Sequence, residues 1–334
     1  MRRLLPALLA AVVILPTKAL AWGDAGHRMI GQIAIEALPG ELPAFLRASS
    51  ADVAELAREP DRWRGAGQPH DEMRDPQHYF YLDDEGRTPG GFDLHHLPAT
   101  RGAYIAALSK VGVDPDSVGY LPYVIADGYQ QLVKGFAFWR ADAAGERFAT
   151  DAKKRAWLTA DRQRRERQIV QDIGLWAHYV GDATQPMHVS VHHDGWGDYP
   201  NPDGFTTQKV HVPWEGAYVA AEVREGDMRA ALPAAGACGR ATPLACAGAY
   251  LEQSRAQLRP FYALEKAGAF KSGEAKGRAF AAGRLAAAAG ALRDLISQAW
   301  LESTKAAVNN YPPVPVADLE AGRADAYDVL HGLD

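Results

Sequence analysis

Between residues 150 and 181 the chain carries one long helical pattern, with Ile169, Ile173, Trp176, Ala177 and Val180 at core spacing. Its middle, Asp161 to Arg167, is a charge-rich run of the kind that faces solvent. Gly181 and then Pro186 end it. Other helical patterns surround it, at 27–38, 41–58, 101–111, 120–140, 214–224, 243–268 and 275–308. The Ala-rich part of the last, 281–291, is interrupted by Arg284 and Gly290, which suits close helix packing better than a membrane. Residues 65–100 read as loop apart from the aromatic run Tyr79-Phe80-Tyr81. Around 189–212 an irregular or short-hairpin region is expected. Pro312-Pro313-Val314-Pro315 should end the bundle and leave residues 312–334 as a tail. The expectation is an all-α protein with a single large helical domain over 22–311.

The first 21 residues read as an export leader. Arg2 and Arg3 supply the charged start, Leu4 to Leu15 the apolar stretch, and Ala19-Leu20-Ala21 the small-residue exit. The apolar stretch falls short of the roughly 20 residues a membrane span needs. Cleavage between Ala21 and Trp22 would release a secreted or periplasmic chain with no membrane span. The leader holds three of the 36 basic residues and none of the 41 acidic ones, so the mature chain would stand at −8. A broad basic coat for nucleic acid is excluded; attraction to a phosphate ester would have to be local, most simply from bound cations. Cys238 and Cys246 are the only cysteines. In an exported chain they are expected to form one loop-stapling disulfide, with two reduced thiols as the alternative.

His178 and Asp182 lie four apart at the end of the long helix, on one face, able to hold one metal or bridge two. His188 follows beyond Pro186, and His211 and Glu215 repeat the four-residue offset. Near the expected new amino terminus, His27 follows Trp22 by five residues, and a free amine beside a histidine is a possible metal-binding pair. With no cysteine pair to spare, the ligands are expected to be His, Asp and Glu.

The segments Trp22-Gly23-Asp24-Ala25-Gly26-His27, His178-Tyr179-Val180-Gly181-Asp182 and Gln185-Pro186-Met187-His188 closely resemble the zinc-dependent single-strand-specific nucleases of fungi and plants. That family shares a helical fold and a three-zinc centre with the bacterial zinc-dependent phospholipases C. The resemblance implies that Trp22, through its amino nitrogen and carbonyl oxygen, holds one zinc with His27. It implies that Asp61, His78 and His178 hold a second, that Asp182 bridges the two, and that His188, His211 and Glu215 hold the third. It also places Arg64 on the substrate phosphate and Tyr79 against a base, and makes Asp61 the group that orients or deprotonates the attacking water. Structural roles compete at some positions: Asp61 as a helix cap, His78 as a satisfied core histidine, Arg64 as a surface arginine, Tyr79 as core packing. His70, His95, His96, His192, His193 and His331 lack a motif and read as surface or loop residues.

Two departures matter. Glu215 stands where those nucleases usually have aspartate and the phospholipases have glutamate. Tyr81 sits near the position of a base-reading aspartate, with Asp83 two further on. The implied activity is hydrolysis of single-stranded DNA and RNA by metal-activated water to 5′-phosphorylated products, with 3′-nucleotidase activity. The substrate is a single strand or nucleotide, and no stable protein partner is inferred. The alternatives are a phospholipase C acting on phosphatidylcholine-like lipids and a zinc-binding protein without catalysis.

Overall fold

The computed structural model describes residues 22–309 and 312–331. The expected leader, and with it the cleavage before Trp22, lies outside the described residues. The chain is mostly helical, with one two-stranded antiparallel ribbon, Ala307–Val308 against Val314–Pro315. No described helix is long and apolar enough to cross a membrane. We label the five longest described helices α1 (Gly23–Glu36), α2 (Leu121–Phe148), α3 (Ala152–Asp182), α4 (Pro243–Arg255) and α5 (Ala275–Glu302).

The start of α3 is set by Asp151, whose carboxylate accepts the Lys153 and Lys154 backbone N–H groups. Its first half is charged and largely solvated: Arg162 pairs with Glu146 and Glu166, and Arg164 with Asp161. Its second half is apolar and buried from Ile169 onward at core spacing. The helix therefore runs from surface to interior, and its last turns deliver His178 and Asp182 to the centre of the protein. Helix α2 packs back along α3. The pair closes tightly at Gly128, where a Cβ would lie 2.2 Å from Trp176 Cδ1. The Trp176 indole N–H donates to the Ile125 carbonyl at 3.1 Å. Helix α1 packs on α3, α5 and the Ser50–Leu56 helix, and α4 packs on α2. Together they bury the main apolar core.

Several boundaries differ from the sequence expectation, each for a local reason. Helix α2 continues to Phe148 because Ala137, Ala141 and Ala144 bury against a second apolar cluster. The 243–268 stretch is two helices, α4 and Leu258–Lys266, broken at Ala256-Gln257. Pro260 lies in the first turn of the second, where its missing N–H removes no helical bond. Residues 70–78, expected as loop, form a helical turn His70–Arg74 and a 3₁₀ turn Asp75–His78. The 189–212 region is irregular, one of its two expected forms, with an isolated bridge between His193 and Gly195. The segment expected as a tail folds instead: after the ribbon come helices Val316–Glu320 and Ala326–His331. Val308, Val316, Leu319 and Ala326 bury against α2 and Leu158. The expected Cys238–Cys246 disulfide is formed, which points to an oxidising compartment.

Candidate metal centre

Helices α1 and α3 cross where Gly181 allows close approach; a Cβ there would lie 3.1 Å from His27 Nδ1. The His27 ring stacks on His178 with centroids 3.9 Å apart. Trp22 anchors the start of α1, its indole N–H donating to the Gly181 carbonyl at 2.8 Å. Asp61 lies inside the single helical turn Glu59–Arg62 and is buried, so it does not act as that turn's cap. His78 closes the Asp75–His78 turn. The chain beyond it runs beside 188–191, with Phe80 N–H donating to the His188 carbonyl and Val191 N–H to that of Leu82. His188 sits in the 3₁₀ turn Pro186–Val189. His211 and Glu215 flank the start of a π-helical turn, Pro213–Tyr218, a local form that recurs at functional sites.

Three groups of potential metal ligands result: His27 with His178 and Asp182; Asp61 with His78 and His178; and His188 with His211 and Glu215. All of these side chains are buried. In the second group, His78 Nδ1 lies 3.0 Å from His178 Nε2. Asp182 Oδ2 lies 3.0 Å from His78 Nδ1 and 3.4 Å from His178 Nε2. Asp61 Oδ1 lies 3.9 and 3.7 Å from the same two nitrogens. Ligands about 2.0–2.1 Å from a tetrahedral ion stand about 3.3 Å apart, so Asp61, His78 and His178 are spaced close to three corners of such a site, and Asp182 Oδ2 stands at that spacing from the two histidines. The other Asp182 oxygen, Oδ1, turns to His27 Nε2 at 3.5 Å. One carboxylate thus faces both groups. In the third group, Glu215 Oε2 lies 2.7 Å from His211 Nε2 and 3.8 Å from His188 Nε2.

Charge and hydrogen bonding test whether cations fit. Asp61 Oδ1, Asp182 Oδ1 and Glu215 Oε1 are buried and make no hydrogen bond among the described residues. Arg64 is the cation beside Asp61, its guanidinium 3.5 Å from both Asp61 and Asp75. Three buried carboxylates against one arginine leave an excess of negative charge that bound cations would neutralise. The imidazoles are set to offer lone pairs inward. His178 Nδ1–H donates to the Ala57 carbonyl at 2.9 Å and His188 Nδ1–H to the His78 carbonyl at 2.6 Å, which leaves each Nε2 as an acceptor. The residues fit metal ions, and their nitrogen and carboxylate donors suit zinc among other divalent ions.

Burial pushes the Asp61 carboxyl up to about 7, against the opposing pull of Arg64. Burial, with the nearby Asp61 charge, raises Asp182 well above the carboxylate range. Burial likewise holds His78, His178 and His188 well below the usual imidazole range. His211 is the exception: burial opposes its charge, but the Glu215 charge and hydrogen bond outweigh burial and raise it. At pH 6 the metal-free chain therefore carries protons on Asp61 and His211, while His78, His178 and His188 are already neutral. Zinc binding at pH 6 is expected to release about two protons, and fewer at pH 8, where Asp61 has already ionised. Calorimetry in buffers of different ionisation enthalpy reads the number; the same release at both pH values would contradict this assignment.

Gln185 is a supporting residue that sequence reading passed over. Fully buried, its amide donates to Glu215 Oε2 at 2.8 Å, and its carbonyl accepts the Met187 N–H. Its place before Pro186, as the cap of the turn carrying His188, is a local signal that could have found it. Gln185→Leu is expected to weaken metal affinity at the third group about 10- to 100-fold while sparing the other two. Metal titration with a chromogenic competitor checks this; equal loss at all groups would make the residue merely structural. Asp75, which pairs with Arg64, carried no sequence signal.

Tyr79 is half-buried, its hydroxyl donating to the Asp116 carbonyl at 2.9 Å. Its ring stacks on Tyr81 at 4.3 Å, and Tyr81 stacks on exposed His193 at 4.7 Å. His192, expected as a surface or loop residue, lies in irregular chain and is buried. Its Nδ1 meets the Trp196 carbonyl at 2.7 Å, and its Nε2 lies 3.2 Å from Asp84. Stacking against Trp196 accounts for its burial. Comparison of the chain with protein-family models returns no match, and neither does comparison with curated proteins.

Proposed function

We propose that this chain is a zinc-dependent phosphodiesterase that hydrolyses single-stranded DNA and RNA to 5′-phosphorylated products, with 3′-nucleotidase activity. The observation that carries this reading is Asp182, fully buried and turning one oxygen to each of two adjacent ligand groups, with a third group beside them. A shared carboxylate between paired sites serves displacement at phosphorus better than it serves structure alone. Zinc in these groups would supply Lewis acidity, polarising phosphoryl oxygens and acidifying water. The chain's own residues then divide the remaining work. Asp61 directs Oδ1 toward His78 and His178, which leaves Oδ2 to orient the attacking water or take its proton. Arg64, three residues on, offers a planar fork to the phosphoryl oxygens. The parallel rings of Tyr79, Tyr81 and His193 beside the centre suit unpaired bases, whose faces are open in a single strand and hidden in a duplex. On this reading Trp22 contributes its amine and carbonyl once the leader is removed.

A second reading, phospholipase C activity, is favoured by Glu215. Purified processed protein assayed with zinc on denatured DNA, RNA and phosphatidylcholine vesicles separates the two. Cleavage of both nucleic acids is expected. Lipid cleavage without nucleic-acid cleavage would overturn the first reading, and no cleavage of any substrate would leave a metal-binding protein.

A further inference from the structure

Two surface cavities adjoin along α2, of about 680 Å³ and about 470 Å³, and share Gln130, Thr242 and Pro243 in their linings. The lining of the larger includes Gln77, the residue before His78, together with Thr100 and Arg101. The smaller extends it to Arg240 and Lys305. We propose that this continuous groove takes the sugar–phosphate backbone of a single strand beyond the bond being cut. This rests on the nucleic-acid reading above.

Three observations support it. First, two helix starts open into the groove: the Arg101–Lys110 helix, capped by Thr100, and α4, capped by Thr242. Each presents backbone N–H groups and the positive end of a dipole, which favour phosphate oxygens. Second, Arg101 and Arg240 form no ion pair with a carboxylate among the described residues. Lys305 is already paired with Glu302 at 3.2 Å, and Asp127 is the other carboxylate in the lining. Two guanidiniums without a carboxylate partner among the described residues therefore line the groove on an otherwise acidic protein. Third, the groove is tied to the centre. Tyr79 donates to the Asp116 carbonyl, Tyr120 donates to the Asp116 carboxylate, and the Arg101 guanidinium lies over the Tyr120 ring at 3.8 Å. Arg101 and the ring stack thus share one support. Neutral hydrogen-bonding groups on Gln130 and Thr242 between the arginines suit a backbone read without sequence preference.

The test compares the wild type with the double variant Arg101→Gln/Arg240→Gln on a dinucleotide and on a single strand of about 20 nucleotides. For the long strand, KM is expected to rise about five- to tenfold, and the salt dependence of log KM to fall in slope by about 1.4, two phosphate contacts at about 0.7 each. Dinucleotide kcat/KM should be unchanged. If the long-strand KM and its salt slope are also unchanged, the groove proposal is wrong and the nuclease reading stands. If KM rises equally for both substrates, the arginines act at the centre and the groove proposal again fails. If the wild type cuts neither substrate, the nucleic-acid reading fails and the groove proposal goes with it.

Discussion

Replacing Asp182 with asparagine is expected to lower phosphodiester hydrolysis by about a thousandfold while the chain remains folded. Asparagine keeps the shape of the side chain but removes its charge and one of its two acceptor oxygens. Asp182 is fully buried, and its oxygens face His27 on one side and His78 with His178 on the other. No other side chain among the described residues joins the first two ligand groups in this way through separate carboxylate oxygens. The substitution should therefore weaken both neighbouring sites at once, and several kcal/mol of charge stabilisation should go with it. Loss of a buried negative charge also relieves the protein of a desolvation cost, so folding itself should survive. The assay is kcat/KM on denatured DNA, alongside metal content and a thermal unfolding curve. Activity within tenfold of the wild type, with full metal content, would remove Asp182 from the bridging role.

Chelation is expected to lower the unfolding midpoint by roughly 10 °C or more at pH 7.5, and restored zinc should recover it. Each ion that binds only the folded chain contributes about 4 kcal/mol when present at a thousand times its dissociation constant. Removing the ions leaves Asp61, Asp182 and Glu215 buried with Arg64 as the adjacent cation. The cost falls at the crossing of α1 and α3, where His27, His178 and Asp182 meet, so the loss should be cooperative. Circular dichroism at 222 nm follows it. A midpoint that ignores chelation would mean that the groups close on hydrogen bonds alone.

The parts of this structure that could be read from sequence are those set within one element. The core face of α3 and the His178–Asp182 and His211–Glu215 pairs follow from helical periodicity and a four-residue offset. Asp61 and His78 are different: nothing in their local sequence marks them, because the Asp61 turn and the Asp75–His78 turn reach the centre only through tertiary packing. They were identified through resemblance, and the structure brings them within reach of His178. Local sequence marks Gln185 only as a turn cap, and its support of Glu215 and the pairing of Asp75 with Arg64 are set by tertiary packing. The folded segment after Pro313 was missed for a related reason. Its apolar residues are few and scattered, and their value comes from α2 and Leu158, which they cover. His192 lacked a motif and read as a surface or loop residue; its loop position agrees with that, and the Trp196 ring packed against it explains its burial.

The claim on which the rest depends is that the three ligand groups hold three ions. Crystals of the processed chain grown with zinc and measured for anomalous scattering at the zinc edge test it directly. Three peaks are expected, two flanking Asp182 and one beside His211 and Glu215. No peak at these side chains, or a single peak with Asp182 uninvolved, would contradict it.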